Sequence, residues 1–189
     1  INRVCNSRLV IYMKTYQLFI NGQWVNSMSG QTEAVLSPST GAVVACIQNA
    51  NEADAQLALE FAKTAQLEWR RTPSRTRAEL LRAFAAEIRA NKERLAKLLV
   101  KEQGKLLRVA DMEVEVTCSF IEYACDWARQ MDGDIVKSDN PNEHIWIHKI
   151  PRGVVTAITA WNFPLALAGR KLGPALVAGN SIVVKPTSE

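Results

Sequence analysis

Asn162 sits between Trp161 and Phe163, two residues ahead of Pro164. A carboxamide in that place has two uses. Before a helix that begins with proline it would cap, because Asn accepts hydrogen bonds from orphan amides and Pro is favoured in the first turn. At the carboxyl end of a strand, where open α/β sheets hold their ligands, its NH2 would instead meet negative charge developing on a former carbonyl oxygen. Lys185 closes the run SIVVK and raises a similar pair of readings. It is either a solvated strand-end charge, as most lysines are, or an ammonium donor to a ligand lying across the strand ends. Arg170 follows Asn162 by a little over two helical turns, so both look to roughly the same side. There it meets either a substrate carboxylate or hydroxyl, or a surface acid.

Other chemistry is sparse. The four cysteines (Cys5, Cys46, Cys118, Cys125) form no CxxC and no Cys/His cluster, so no metal site is expected. Cys118 and Cys125 fall at helical spacing with no base in a recognisable pattern, which makes them poor nucleophiles. The pattern G-x-G-x-x-G is missing from the sequence. A net charge of +4 and a pI near 9.0 are mildly basic. Acids and bases interleave, as in RAELLRAFAAEIRANKER, which reads as solvated helix faces rather than a nucleic-acid stripe. No apolar run approaches the roughly 20 residues a bilayer span needs. The opening INRVCNSRLVIYMK has neither the apolar core nor the cleavage site of a signal peptide. A reducing cytoplasm is the expected setting. Residues 1–15 read as a leader without fold, with Met13 the expected start. Hydrophobic residues at 48% and charged residues at 22% suffice for a real core.

The elements that position these residues follow from periodicity. LFINGQWV reads as a hairpin about Asn21-Gly22; SPSTG is a turn, and GAVVACI returns as strand. Asn51 is placed to cap a helix with Leu57, Phe61, Ala65 and Trp69 at intervals of four. Pro73-Ser74 opens a second, with Leu80, Leu81, Phe84 and Ile88 on one face. Asn91 opens a third, through Leu95, Leu98 and Leu99, that ends before Gly104. In a fourth, Val109, Met112, Val116, Phe120, Tyr123 and Trp127 share a face, a stripe that reads as core, with Tyr123 and Trp127 alternatively lining a substrate channel. EHIWIHKI alternates as a strand. PRGVVTAITA reads as a strand buried on both faces of a parallel sheet, residues 164–177 as a helix ended by Gly179-Asn180, and SIVVK as a second buried strand, which makes a βαβ unit. The expected class is α/β: a hairpin and a helical segment, then the start of a doubly wound, Rossmann-like parallel sheet. Two parallel strands cannot bury both faces alone, so the fold is expected to be incomplete, the front part of a larger protein.

The segment GVVTAITAWNFPLALAGRKLGPALVAGNSIVVKP resembles the aldehyde dehydrogenase superfamily, whose pattern runs close to GVV-x-x-I-x-PWNFP and then K-x-x-PAL-x-x-GN-x-x-V-x-KP. LFINGQWV, SPSTGAVVA, the Trp of LEW and EQGK also fall where that family has equivalents. The likeness covers roughly residues 16–189, and its texture is most similar to the lactaldehyde, glycolaldehyde and succinate-semialdehyde branch. The resemblance implies that 16–189 is the N-terminal part of the NAD(P)-binding domain. It implies oxidation of an aldehyde to an acid with NAD or NADP: a cysteine thiolate adds to the carbonyl, the adduct passes hydride to the nicotinamide, and water activated by a glutamate releases the thioester.

On the same resemblance, Asn162 would help hold the oxyanion and Lys185 would bond the adenosine ribose, bordered by Thr187 and Ser188. Ile158, Thr159, Ala160 and Trp161 would line the cofactor cleft, Ile158 also packing in the core. Arg170 would face the substrate. The strand segment 134–150 would serve a homo-oligomer. Ala160 replaces the proline usual before Trp161. Ser188 stands where many NAD-preferring relatives carry a glutamate that grips the ribose 2′-OH, so use of NADP is expected to be open. The nucleophile and the general base lie outside this chain, which alone should be inactive. Two other readings remain: a non-catalytic short nucleotide-binding or dimerising relic, and part of a CoA-acylating relative.

Overall fold

The structure, a computed structural model, describes residues 14–187; the expectations for 1–13, with Cys5 and Met13, and for Ser188 and Glu189 lie outside the described residues. The order is β1 (Thr15–Tyr16), β2 (Leu18–Ile20), β3 (Gln23–Val25), β4 (Thr32–Leu36), β5 (Val43–Gln48), α1 (Glu52–Trp69), α2 (Ser74–Ala90), α3 (Lys92–Gln103), α4 (Leu107–Asp126), a 3-10 turn (Trp127–Arg129), β6 (Asp134–Lys137), β7 (His144–Ile147), β8 (Val154–Ile158), α5 (Pro164–Val177) and β9 (Ser181–Lys185). The expected hairpin forms from β2 and β3. Asn21 and Gly22 have φ of 52° and 74°, the positive pair a type I′ turn needs. Pairing begins inside the expected leader, since Thr15 lies opposite Cys46 in a parallel β1–β5 contact.

Asn51 caps α1 as its position implies, within a reciprocal box. Its side chain accepts from the Asp54 amide at 3.0 Å, and Asp54 accepts from the Asn51 amide at 2.9 Å. Asp54 is buried and also accepts from Ser27 Oγ at 2.7 Å and the Met28 amide at 2.9 Å. Burial by itself would raise its pKa, but these donors outweigh it and hold the carboxyl below its ordinary value. A depressed carboxyl contributes stability that is present above its unfolded pKa, about 3.9, and lost as pH falls through the folded value. Asp54→Asn in the full-length protein should therefore cost about 1.5–3 kcal/mol near neutral pH. The gap to wild type should narrow below about pH 4, as denaturant melts at several pH values will show.

The four helices carry the expected periods, but the buried phase differs in three of them. On α1, Asp54 and Gln66 are buried whereas Phe61 and Ala65 are exposed. On α2 the core residues are Ala78, Leu81 and Ala85, whereas Leu80 is 53% exposed and Phe84 is also exposed. On α4 the large apolar stripe expected as core lies mostly outward: Met112, Tyr123 and Trp127 are exposed, and Ala110, Val114, Cys118, Ile121 and Cys125 are buried. The reason is close helix approach. α4 and α5 make the most extensive contact in the fold, and small residues allow it. A Cβ on Gly169 would lie 2.7 Å from Thr117 Cγ2, and one on Gly173 would lie 3.0 Å from Ala124 Cβ. On α3, Ala96 and Leu99 pack with Ala110 and Val114 of α4, and Gly104 ends the helix at φ 66°. Asn91 precedes α3 but does not cap it with its side chain, which donates back to the Glu87 carbonyl at 3.0 Å.

β8 and β9 pair in parallel across the α5 crossover, with Ile158 opposite Lys185. The βαβ expectation holds, but burial on both faces does not. Ala157 and Thr159 are buried while Thr156 and Ile158 are exposed, so strand alternation turns one set toward a face that no described element covers. Ile158, expected to pack in the core, is 61% exposed for that reason. β6 and β7 form a separate antiparallel ribbon whose residues are exposed throughout. Among the described residues no helix is long and apolar enough to cross a membrane.

Candidate functional site

The carboxyl ends of β8 and β9 lie side by side, tied by the Thr159 amide donating to the Lys185 carbonyl at 3.2 Å. Beyond Ile158 the chain passes through residues 159–163 and enters α5 at Pro164, the first helical position. The helix-capping residue is Phe163, which has no side chain able to cap. The capping role that Asn162's position allows is therefore not taken. Its residue is exposed and its carboxamide forms no hydrogen bond among the described residues. Glu113, reaching across from α4, does that work instead. Its Oε1 accepts from the Leu165 amide at 2.9 Å and the Ala166 amide at 3.3 Å, where the helix dipole favours an anion. With the amides satisfied from outside, the Asn162 carboxamide remains available to a ligand.

Several side chains grip the corner that carries it. Gln103 Nε2 donates to the Trp161 carbonyl and Lys105 Nζ donates to the Asn162 carbonyl at 2.9 Å. The same ammonium pairs with Glu113 and lies 4.5 Å from the centroid of the Phe163 ring. Lys171 Nζ donates to the Ile158 carbonyl. Glu113, Lys105 and Gln103 were not legible as site residues. The clue to Glu113 is its phase: it stands three and four residues from Ala110 and Thr117 on the buried face of α4, where a lone acid requires a partner.

Of the residues singled out by sequence, Asn162, Ala160, Lys185 and Trp161 (62% exposed) are open to solvent with Ile158 at the same edge. Lys185 forms no ion pair among the described residues, and Thr187 is half-buried. Thr159 is buried, and its Oγ1 has no hydrogen-bond partner among the described residues. Ser188 lies outside the described residues. Arg170 is exposed, with its guanidinium carbon 6.0 Å from the centroid of the Phe120 ring and no acid paired to it among the described residues. The stripe of α4 continues from Phe120 to Tyr123 and Trp127, whose rings meet edge to face at 6.2 Å.

Cys118 and Cys125 are buried. Burial pushes both thiols up, with Arg89 and Arg82 respectively pulling the other way, which suits packing rather than nucleophilic attack. Among the described residues no group of three or more His, Cys, Asp and Glu is placed to hold a metal ion. A cavity of about 440 Å³ lies elsewhere, at the amino end of β9, lined by Ala62, Ala65, Trp69, Leu176 and Ile182 among others. It offers little chemistry.

Residues 24–189 match the family described as the aldehyde dehydrogenase family. Over 177 residues the chain is 68% identical to 3,6-anhydro-alpha-L-galactose dehydrogenase of Vibrio sp. (strain EJY3), covering 94% of this chain and 37% of that protein. It is 40% identical over 172 residues to lactaldehyde dehydrogenase of Escherichia coli (strain K12), covering 91% and 36% respectively. The solved structure of 3,6-anhydro-L-galactose dehydrogenase in complex with NAP superimposes with a TM-score of 0.91 at 69% identity, over 93% of this chain and 37% of that one. The chain thus spans little more than a third of the length of these relatives.

Proposed function

The chain belongs to the aldehyde dehydrogenase family, and on that footing we propose that it supplies the N-terminal part of an NAD(P)-dependent enzyme that oxidises an aldehyde to a carboxylic acid. The observation that carries the reading is the carboxamide of Asn162, without a hydrogen bond among the described residues and exposed beside the carboxyl ends of two parallel strands. Such a donor suits an oxygen that gains charge as the carbonyl is attacked. Trp161, Ala160 and Ile158 form one wall of the cleft over which a dinucleotide would lie, with Thr159 packed behind them. Lys185 is an ammonium without an acid partner among the described residues, which fits a hydroxyl-rich or anionic ligand, and Thr187 and Ser188 follow it. A bound nicotinamide dinucleotide would supply the hydride acceptor. Arg170, over Phe120 and with no acid paired to it among the described residues, is placed to meet oxygen atoms of the substrate. The relatives named above act on 3,6-anhydro-L-galactose and lactaldehyde, so we place the substrate among aldehydes carrying further oxygen functions. The β6–β7 ribbon exposes Ile135, Val136, Ile145, Trp146 and Ile147, an apolar surface suited to contact between subunits of a homo-oligomer.

The full-length protein, purified and given NAD or NADP with 3,6-anhydro-L-galactose, lactaldehyde and succinate semialdehyde in turn, should form reduced nicotinamide and the matching acid. No reduction with any of them would remove the proposal. NADP should serve within about a hundredfold of NAD, about 2.7 kcal/mol of discrimination, because Ser188 brings no carboxylate to repel a 2′-phosphate. A larger preference for NAD would discard that part.

A further inference from the structure

We propose that Lys105 and Glu113 are positioning residues for Asn162, acting on the strand-to-helix corner from which the carboxamide projects. The proposal rests on the reading of Asn162 as the oxyanion donor. That carboxamide makes no hydrogen bond among the described residues, so its place is set by its backbone. A catalytic donor needs its position held to within about 0.5 Å. Glu113 is completely buried and divides its two oxygens. Oε1 holds the Leu165 and Ala166 amides, and Oε2 holds the Lys105 ammonium. That ammonium in turn holds the Asn162 carbonyl at 2.9 Å and covers the Phe163 ring. One carboxylate and one ammonium therefore bind residues 162, 163, 165 and 166. Gln103 takes the preceding carbonyl, that of Trp161.

The loop that presents Gln103 and Lys105 is itself fixed. Gly104 between them has φ of 66°, and a Cβ there would fall 2.9 Å from Ser39 Oγ and 3.2 Å from Pro38 Cγ. The turn at 37–41 thus backs the α3–α4 loop, and the loop backs the corner.

Stability is a weak reason for this arrangement. A buried ion pair loses hydration that its attraction barely returns, and well-packed apolar side chains hold such a place as firmly. The α4–α5 contact already has its apolar packing in Ile121, Ala124, Cys118 and Val177 and its close approach at Gly169 and Gly173. What an apolar pair could not do is hold a carbonyl and two amides in fixed directions.

The test is a kinetic double-mutant cycle in the full-length enzyme. Lys105→Met with Glu113→Gln removes both charges and keeps an oxygen acceptor for the α5 amides. It should lower kcat by about ten- to a hundredfold, the effect of a misplacement near 1 Å, with KM for aldehyde and cofactor within about threefold, since a group acting only in the transition state lowers kcat alone. In an Asn162→Ala background the same pair of substitutions should do almost nothing further to kcat, because its effect passes through the missing carboxamide. Unchanged kcat, or an equal loss in both backgrounds, overturns the proposal. If the doubly substituted protein is insoluble, the isosteric Glu113→Gln alone goes through the same cycle under the same criterion. An Asn162→Ala enzyme with wild-type kcat would instead strike down the oxyanion reading itself, a separate and distinguishable result.

Discussion

Asn162→Ala in the full-length protein should lower kcat by about 10²–10³-fold, or roughly 2.7–4 kcal/mol of barrier, while leaving thermal stability within about 0.5 kcal/mol of wild type. Both halves come from one observation. The carboxamide is exposed and makes no hydrogen bond among the described residues, so the resting fold loses little when it is removed. A donor aimed at charge present only during reaction is missed only during reaction. The capping alternative predicts the reverse: a stability loss of about 0.5–2 kcal/mol with the chemistry untouched. Steady-state kinetics and a melting curve on the same preparation separate the two. An active variant with a lowered melting temperature would return Asn162 to a structural role, although Phe163 and Glu113 already occupy that one.

Gly169→Val should act first on the fold, with a loss of about 3 kcal/mol or more in stability, and any surviving folded enzyme should also lose kcat, because parting α4 from α5 loosens the hold of Glu113 on the Leu165 and Ala166 amides. Even the first added carbon would lie 2.7 Å from Thr117 Cγ2 and 3.1 Å from the Thr117 carbonyl oxygen. Thr117 has little room to yield. It is almost fully buried, and its hydroxyl donates to the Glu113 carbonyl at 2.7 Å. Helices α4 and α5 would have to separate, opening the cluster of Cys118, Ile121, Ala124 and Val177. In Gly169→Ala the gain in helix propensity, about 0.5–1 kcal/mol, offsets part of the strain, so a smaller loss is expected. Denaturant midpoints measure both. Midpoints equal to wild type would mean that the two helices do not approach so closely.

Local patterns were legible where the cause is local. The Asn21-Gly22 turn, the cap at Asn51, the stop at Gly104 and the strand–helix–strand order all depend on neighbours within a few residues, and each appears in the structure. The face that each helix buries was harder to read. On α4 large apolar residues mark the stripe that stays outside, and the inner face is made of Ala, Val, Cys, Thr and Ile around the single acid Glu113. Side-chain size suggests burial for an isolated helix, but a close helix–helix contact selects small residues, and which helix comes close is a tertiary fact. Ile158 misleads for the same reason: a strand residue is buried only if something covers its face.

The proposal of Asn162 as a donor, with Lys185 as a ligand-facing ammonium, came from sequence alone: from a carboxamide and an ammonium at the ends of two runs that read as strands, and from a family likeness carried by those same residues. The tertiary structure alone decided that the carboxamide makes no hydrogen bond among the described residues, because the acid that relieves it of capping stands on α4, far away in the chain. It also decided that Lys105, Gln103 and Glu113 converge on the corner. Hydrogen bonds between residues fifty or more positions apart leave no period or spacing in a sequence. They exist only once packing has brought their elements together.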